Sequence, residues 1–372
     1  MLTTIELLKN TENFIREANK EPDGITDTGL WNGHTGMAIV YYLLARHSAD
    51  ASFAEKGLQL LDSVSETGVP GGDLSFANGL TGVGWAIEWL AQNELMEDIN
   101  TDEVLEPIDS MLYNAVCYSR DENPSLSHGT LGKIAYFIQR AQSRNAATNR
   151  YKTIGHLECL ILSLDDLAEK TADALTIPDQ QDSNANNRRM HLCNLAEILY
   201  IISGIKVQVN SPVTGKLMYD AINYAEYILS GSVMNDERAA RQPDEWLDLL
   251  YVATSYLIAA RLNNNKFWES QAADYIARII PFADDNSGLT TEQQFQKLVL
   301  FSLLNFYHPA QQYRIVIEDL LTHLSFLELP PALLNGYGTL AIVELCLLNP
   351  GLIDNWYEVM FFSRQPYKRD PQ

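Results

Sequence analysis

The chain has 372 residues, 48 acidic and 26 basic, for a formal charge of −22. With 46% apolar and 20% charged residues, its composition suits a water-soluble globular protein rather than a disordered one. The charge argues against a nucleic-acid partner, because neutralising phosphates needs basic clusters and the sequence has none, and no apolar run is long enough to cross a bilayer.

The first residues lack a basic leader followed by an apolar run, so no secretory signal is expected. Ile5 to Ala18 is amphipathic at helical spacing and reads as a helix wet on one face. Gly29-Leu30-Trp31-Asn32-Gly33-His34-Thr35-Gly36 then leads into the apolar run Met37 to Ala45. Ser52 to Val64 is amphipathic again. Asp73-Leu74-Ser75-Phe76-Ala77-Asn78-Gly79-Leu80-Thr81-Gly82 leads into Val83 to Leu90. Val104 to Cys117 is amphipathic, and Ser125-Leu126-Ser127-His128-Gly129-Thr130-Leu131-Gly132 leads into Lys133 to Gln139. The first glycines of these heads, Gly33, Gly79 and Gly129, are 46 and 50 residues apart. That period indicates stacked helical hairpins or a closed helical ring.

The alternation continues with weaker marks. Tyr151 to Glu169, Leu217 to Leu229, Phe267 to Ile280 and Tyr313 to Leu324 read as outer helices. His191 to Ser203, Trp246 to Leu262 and Thr290 to Tyr307 are apolar nearly all round and read as inner helices without glycine heads. Pro178 to Arg189 is polar and reads as a loop. Leu333-Leu334-Asn335-Gly336-Tyr337-Gly338 opens a last inner helix, Thr339 to Leu348. The expected fold is all-α, an (α/α) toroid of about seven outer–inner hairpins in one domain over residues 1–372.

The glycines read as packing and turn devices, with Asn32, Asn78 and Asn335 as helix caps. They are not phosphate loops, since no Lys-Ser/Thr follows. Helix starts gathered at one rim would turn their partial positive ends into a shared mouth. His34 and His128 stand at such starts, as mouth-facing groups or as ordinary polar residues. Trp31, Asn78, Trp246 and Tyr337 are candidates for lining the mouth. Cys193 near His191 is either a thiol–base pair or a buried inert cysteine, and residues two apart on a helix face different sides. Asp73 and Glu88 show no pairing as acid and base. Cys117, Cys159, Cys193 and Cys346 are scattered and form no Cys-x-x-Cys, which points to a reducing compartment, the cytoplasm.

The repeated Leu-x-Asn-Gly-x-x-Gly before apolar helices resembles the lanthionine synthetase C-like family, over residues 25–145 and 333–360. The resemblance implies a toroid of seven inner helices inside seven outer ones. It also implies action on ribosomally made peptides, where cysteine thiols add to dehydrated serine or threonine. In that family two cysteines and one histidine hold a zinc ion that makes the thiolate. The first family cysteine follows a tryptophan, and the matching stretch here is Glu245-Trp246-Leu247-Asp248-Leu249, with Leu247 in the cysteine's place. The Cys-His-Gly of the sixth repeat corresponds to Leu289-Thr290-Thr291-Glu292, with threonines in both ligand places. The family's fourth-repeat histidine falls on Cys193, or on His191 after a small shift. No metal site and no cofactor are therefore expected. The implied function is that of a zinc-free pseudoenzyme, a peptide-binding or accessory component whose partner is a peptide or a modification enzyme. The alternative is a cyclase-type enzyme with relocated ligands or none, drawing on His34, His128, His191 or Cys193. Other helical toroids, glycoside-processing or prenyl-transferring, normally have six hairpins, which the count of seven argues against.

Overall fold

A computed structural model describes residues 27–97, 99–119, 121–144, 149–172, 175, 185–205, 209, 211–234, 243–283, 288–352 and 358–359. The expected outer helix Ile5 to Ala18 and residues 178–184 of the expected loop lie outside them. The described residues hold fourteen α-helices and no strand. In chain order these are α1 (His34–Ser48), α2 (Ala51–Thr67), α3 (Leu80–Gln92), α4 (Thr101–Val104), α5 (Glu106–Tyr118), α6 (Thr130–Ala141) and α7 (Arg150–Thr171). They continue as α8 (Ala185–Ser203), α9 (Ser211–Met234), α10 (Pro243–Leu262), α11 (Lys266–Ala283), α12 (Thr291–Tyr307), α13 (Gln311–Leu324) and α14 (Tyr337–Leu348). None is long and apolar enough to cross a membrane.

Seven of these helices form a closed inner ring. Helix α1 packs on α3, α3 on α6, α6 on α8, α8 on α10, α10 on α12, α12 on α14, and α14 returns to α1. The remaining helices lie outside it, each against its inner partner, as α2 lies on α1 and α11 on α10. This is the expected helical toroid. Two of the inner helices are buried on every face over long stretches: every residue of α10 from Trp246 to Ala260, and every residue of α1 from Thr35 to Leu44. Helices apolar on all faces belong inside such a ring, and these are.

Several boundaries differ from the sequence reading, two of them for evident local reasons. Helix α10 starts at Pro243, because proline fits the first turn of a helix, where its missing N–H is not needed. The amphipathic stretch 104–117 is split, with α4 ending before Leu105 and α5 carrying Pro107 in its first turn. Residues 185–189, read as loop, are the start of α8.

The glycine heads share one construction. The Asp27 Oδ1, Asp73 Oδ1 and Asn123 Oδ1 atoms accept the N–H two residues on, at 2.9, 2.8 and 3.0 Å. These Asx turns bend the chain back toward the helix start. The carbonyls of Asp27, Asp73, Asn123 and Pro330 then accept the first helical N–H of α1, α3, α6 and α14, at 2.9, 2.8, 2.9 and 3.1 Å. A Cβ on Gly33, Gly79, Gly129 or Gly336 would sit 2.0–2.5 Å from that same carbonyl oxygen. Backbone φ at these glycines is −107° to −139°, so close approach, not conformation, requires them. The glycine itself is the residue before each helix, and no asparagine side chain caps α1, α3 or α14. The expectation that Asn32, Asn78 and Asn335 act as caps is therefore corrected, since a main-chain carbonyl already satisfies the donor they would serve.

The heads also hold one another. Leu334 N–H donates to the Trp31 carbonyl, Trp31 N–H to the Ala77 carbonyl, and Phe76 N–H to the Ser127 carbonyl, each at 2.9 Å. The next member of the series is Leu126 N–H, which donates to Oε2 of the buried Glu197 on α8 at 3.1 Å. In the fourth repeat, which lacks a glycine head, a side-chain carboxylate thus replaces a main-chain carbonyl. Glu197→Leu should strand that N–H and destabilise the protein by about 1–3 kcal/mol, while Glu197→Gln, which keeps an acceptor, should cost less. Urea denaturation of the two variants checks this, and equal losses would contradict it.

Candidate functional site

The interlocked heads bring five of the sequence candidates to one rim of the ring. Trp31 and His34 belong to the first head, Asn78 to the second, His128 to the third and Tyr337 to the last. Trp31 is buried, and its indole Nε1–H has no acceptor. Asn78 is half-buried, and its Oδ1 is buried without a donor. His34, the first residue of α1, is also half-buried, with both ring nitrogens buried and unpartnered. His128 is exposed and Tyr337 half-exposed. Buried polar atoms in native proteins nearly always have partners. Three unpartnered groups on two adjoining heads therefore leave hydrogen-bonding capacity unused at this rim, as Trp89, Ser163, Thr254 and Ser255 do elsewhere.

The other three candidates stand on inner helices that have no glycine head. Trp246 is buried in the fifth inner helix, stacked on Phe282 of outer helix α11 with ring centroids 4.5 Å apart. On α8, Cys193 is buried and His191 is exposed, so the two face different ways. Among the described residues no three His, Cys, Asp or Glu side chains come close enough to share a metal ion, and His34, His128, His191 and Cys193 form no such group.

Residues 4–191 match the family model described as lanthionine synthetase C-like protein. The chain belongs to the lanthionine synthetase C-like family. No curated protein matches the sequence.

Zinc is the metal that this family implies, and Leu247, Thr290 and Thr291, which the resemblance sets in its ligand places and which lie beyond the matched residues, do not fit it. Leu247 is apolar and fully buried. The Thr290 hydroxyl accepts the Gln293 N–H at 3.3 Å, and Gln293 Oε1 accepts the Thr290 N–H at 2.8 Å. That reciprocal pair is a capping box at the head of α12, so Thr290 serves the helix. Thr291 is exposed at the first position of α12. Tetrahedral zinc takes thiolate, imidazole or carboxylate, none of which stands here.

A second concentration of polar groups lies toward the opposite end of the inner helices. Arg140, near the end of α6, is wholly buried and bonds Glu88 at 2.5 Å, Asp102 at 3.0 Å and Asp109 at 2.8 Å. Asp109 also accepts the Tyr136 hydroxyl at 2.6 Å and lies 3.2 Å from His156 Nε2. Burial alone would raise the Asp109 pKa, but the hydrogen bonds from His156 and Arg140 outweigh it and hold the carboxyl down to about 2. Burial pushes the Tyr136 phenol well up, and the Asp109 carboxylate adds to that. The sequence reading left Glu88 unpaired. Its partner, Arg140, is 52 residues away on the next inner helix. A separation close to one repeat was the available signal. A cavity of about 60 Å³, lined by Trp85, Gln139, Gln142, Tyr200, Leu262 and Glu358, lies at this end too.

Proposed function

We propose that this chain is a zinc-free member of its family that binds peptide, or serves a modifying enzyme, during the maturation of ribosomally made peptides. The observation that carries the reading is that Leu247 is buried and Thr290 is engaged in a capping box, at the positions that the resemblance aligns with zinc ligands. The burial of α1 and α10 on every face supports binding at the rim of the heads rather than along those two helices. All four cysteines are free, which suits a reducing compartment such as the cytoplasm. The acidic charge of −22 favours a basic peptide or partner over an acidic one.

The purified full chain, assayed for metal and for thiol addition to a synthetic dehydrated peptide, tests this. Zinc well below one equivalent and no change in thioether content are expected. One tightly held zinc per chain, or ring formation at a rate above the uncatalysed one, would overturn the reading. The unpartnered imidazole of His34 supports a second reading, a metal-free catalyst that uses this ring as a base at the rim. Under that reading His34→Ala abolishes thiol addition while leaving peptide binding in place.

A further inference from the structure

We infer that Asn32, Asn78 and Asn335 form a ladder of side-chain amides that grips an extended polypeptide by its backbone, independently of its sequence; this rests on the peptide-binding reading above. The three residues hold the same place in three successive heads, one residue before the glycine that precedes the helix. Those heads are neighbours, fastened by the Leu334–Trp31 and Trp31–Ala77 backbone bonds.

The fold itself makes no use of these amides. None caps its helix, and among the described residues none makes a side-chain hydrogen bond within the protein. The Oδ1 of Asn78 is buried with no donor. A left-handed backbone explains asparagine only at Asn335, where φ is +52°, since the described positive-φ residues include neither Asn32 nor Asn78. Two of three repeat-equivalent asparagines thus have no conformational reason to be there, and all three keep their hydrogen bonds for something outside the chain. All three residues are half-buried, so each is partly held by its neighbours and partly open, with the Asn78 Oδ1 on the buried side.

The chemistry names the ligand class. A carboxamide presents one acceptor and two donors, the counterpart of a peptide group with its N–H and C=O. It carries no charge, so it selects for backbone rather than for acidic or basic side chains. Neighbouring inner helices stand about 8–10 Å apart, which is close to three residues of extended chain at about 3.3 Å each. Three successive heads would therefore engage about every third residue along a stretch of roughly six.

The test uses the full chain and four synthetic 12-residue peptides of one composition in scrambled order. Binding is measured by fluorescence anisotropy or calorimetry. The wild-type chain should bind all four within about 3-fold of one another. The variant N32A/N78A/N335G, in which glycine keeps the left-handed backbone at 335, should bind all four about 30-fold more weakly, at about 3-fold per lost amide. Methylating alternate backbone nitrogens of the peptide should weaken binding to the wild-type chain to a similar degree, a readout that needs no variant to fold. Binding that survives both the triple substitution and N-methylation would overturn the ladder alone. So would a preference of more than about 10-fold among the scrambled orders. No binding of any peptide by the wild-type chain would overturn the peptide-binding reading and the ladder with it.

Discussion

Replacing Arg140 by methionine is expected to destabilise the protein by about 3–5 kcal/mol, the usual effect of leaving buried charges without their partner. The guanidinium is fully buried and is shared by Glu88, Asp102 and Asp109, so its loss strands three carboxylates at once. For a chain of this size the melting temperature should fall by roughly 5–15 °C. Arg140→Lys keeps a charge but has no planar fork. It cannot reproduce the pair of bonds that Nε and Nη2 make to the two oxygens of Asp109, at 3.1 and 2.8 Å, so an intermediate loss is expected.

The pH dependence should change sign between the two proteins. In the wild type Asp109 is held down to about 2, below the ordinary carboxylate value of about 3.9. Its contribution is fully present above the unfolded value and is lost as pH falls toward the folded one. Wild-type stability should therefore stay level between pH 7 and 5 and decline only in stronger acid. In the methionine variant the buried carboxylates have lost their cation, and burial then favours their protonated form. Folding should take up protons, so the variant should become more stable as pH drops from 7 to 5. Melting curves at pH 5, 6 and 7 separate this from simple loss of packing, which would leave the variant equally weakened throughout.

The two ends of the ring were unequally legible in the sequence, and the reason is physical. A glycine head is a local object, with its turn, its carbonyl and its close approach all lying within ten residues, so Gly33, Gly79 and Gly129 announce it at spacings of 46 and 50 residues. The residues on those heads, His34, His128, Trp31, Asn78 and Tyr337, accordingly lie on one rim in the structure. Trp246, His191 and Cys193 belong to repeats whose inner helices run 20 and 19 residues without such a head. Nothing local fixed their register, and Trp246 proves to be core. The Arg140 cluster is assembled from five helices, α3 to α7, and its pairs lie up to 52 residues apart. Only the fold brings those charges together, although the repeat spacing hinted at the Glu88 pair. The asparagines illustrate a subtler point. Residue type suggested caps, yet the donor they would satisfy was already taken by a carbonyl seven residues back along the chain.

Gly129→Ala should be among the most damaging single-methyl changes at the glycine heads. The added Cβ would lie 2.0 Å from the Asn123 carbonyl oxygen, 2.6 Å from the Asn123 carbonyl carbon and 2.9 Å from the Ser125 nitrogen. All three are backbone atoms, so no side chain can swing aside. They are also tethered, by Asn123 Oδ1 to the Ser125 N–H and by the Asn123 carbonyl to the Thr130 N–H. Relief would require breaking that turn, and the third head is the one whose Ser127 carbonyl holds Phe76 and Ala77 of the second. A loss of about 3 kcal/mol or more is expected, at the upper end of what overpacking does. Gly155→Ala on α7 is the matched control: a Cβ there meets no atom within 4 Å, and alanine in a helix interior should stabilise by about 0.5–1 kcal/mol. The two substitutions add the same methyl group, so opposite signs in urea denaturation would attribute the cost to the head's geometry. A Gly129→Ala protein within about 1 kcal/mol of the wild type would mean that the heads yield more easily than their hydrogen bonds imply.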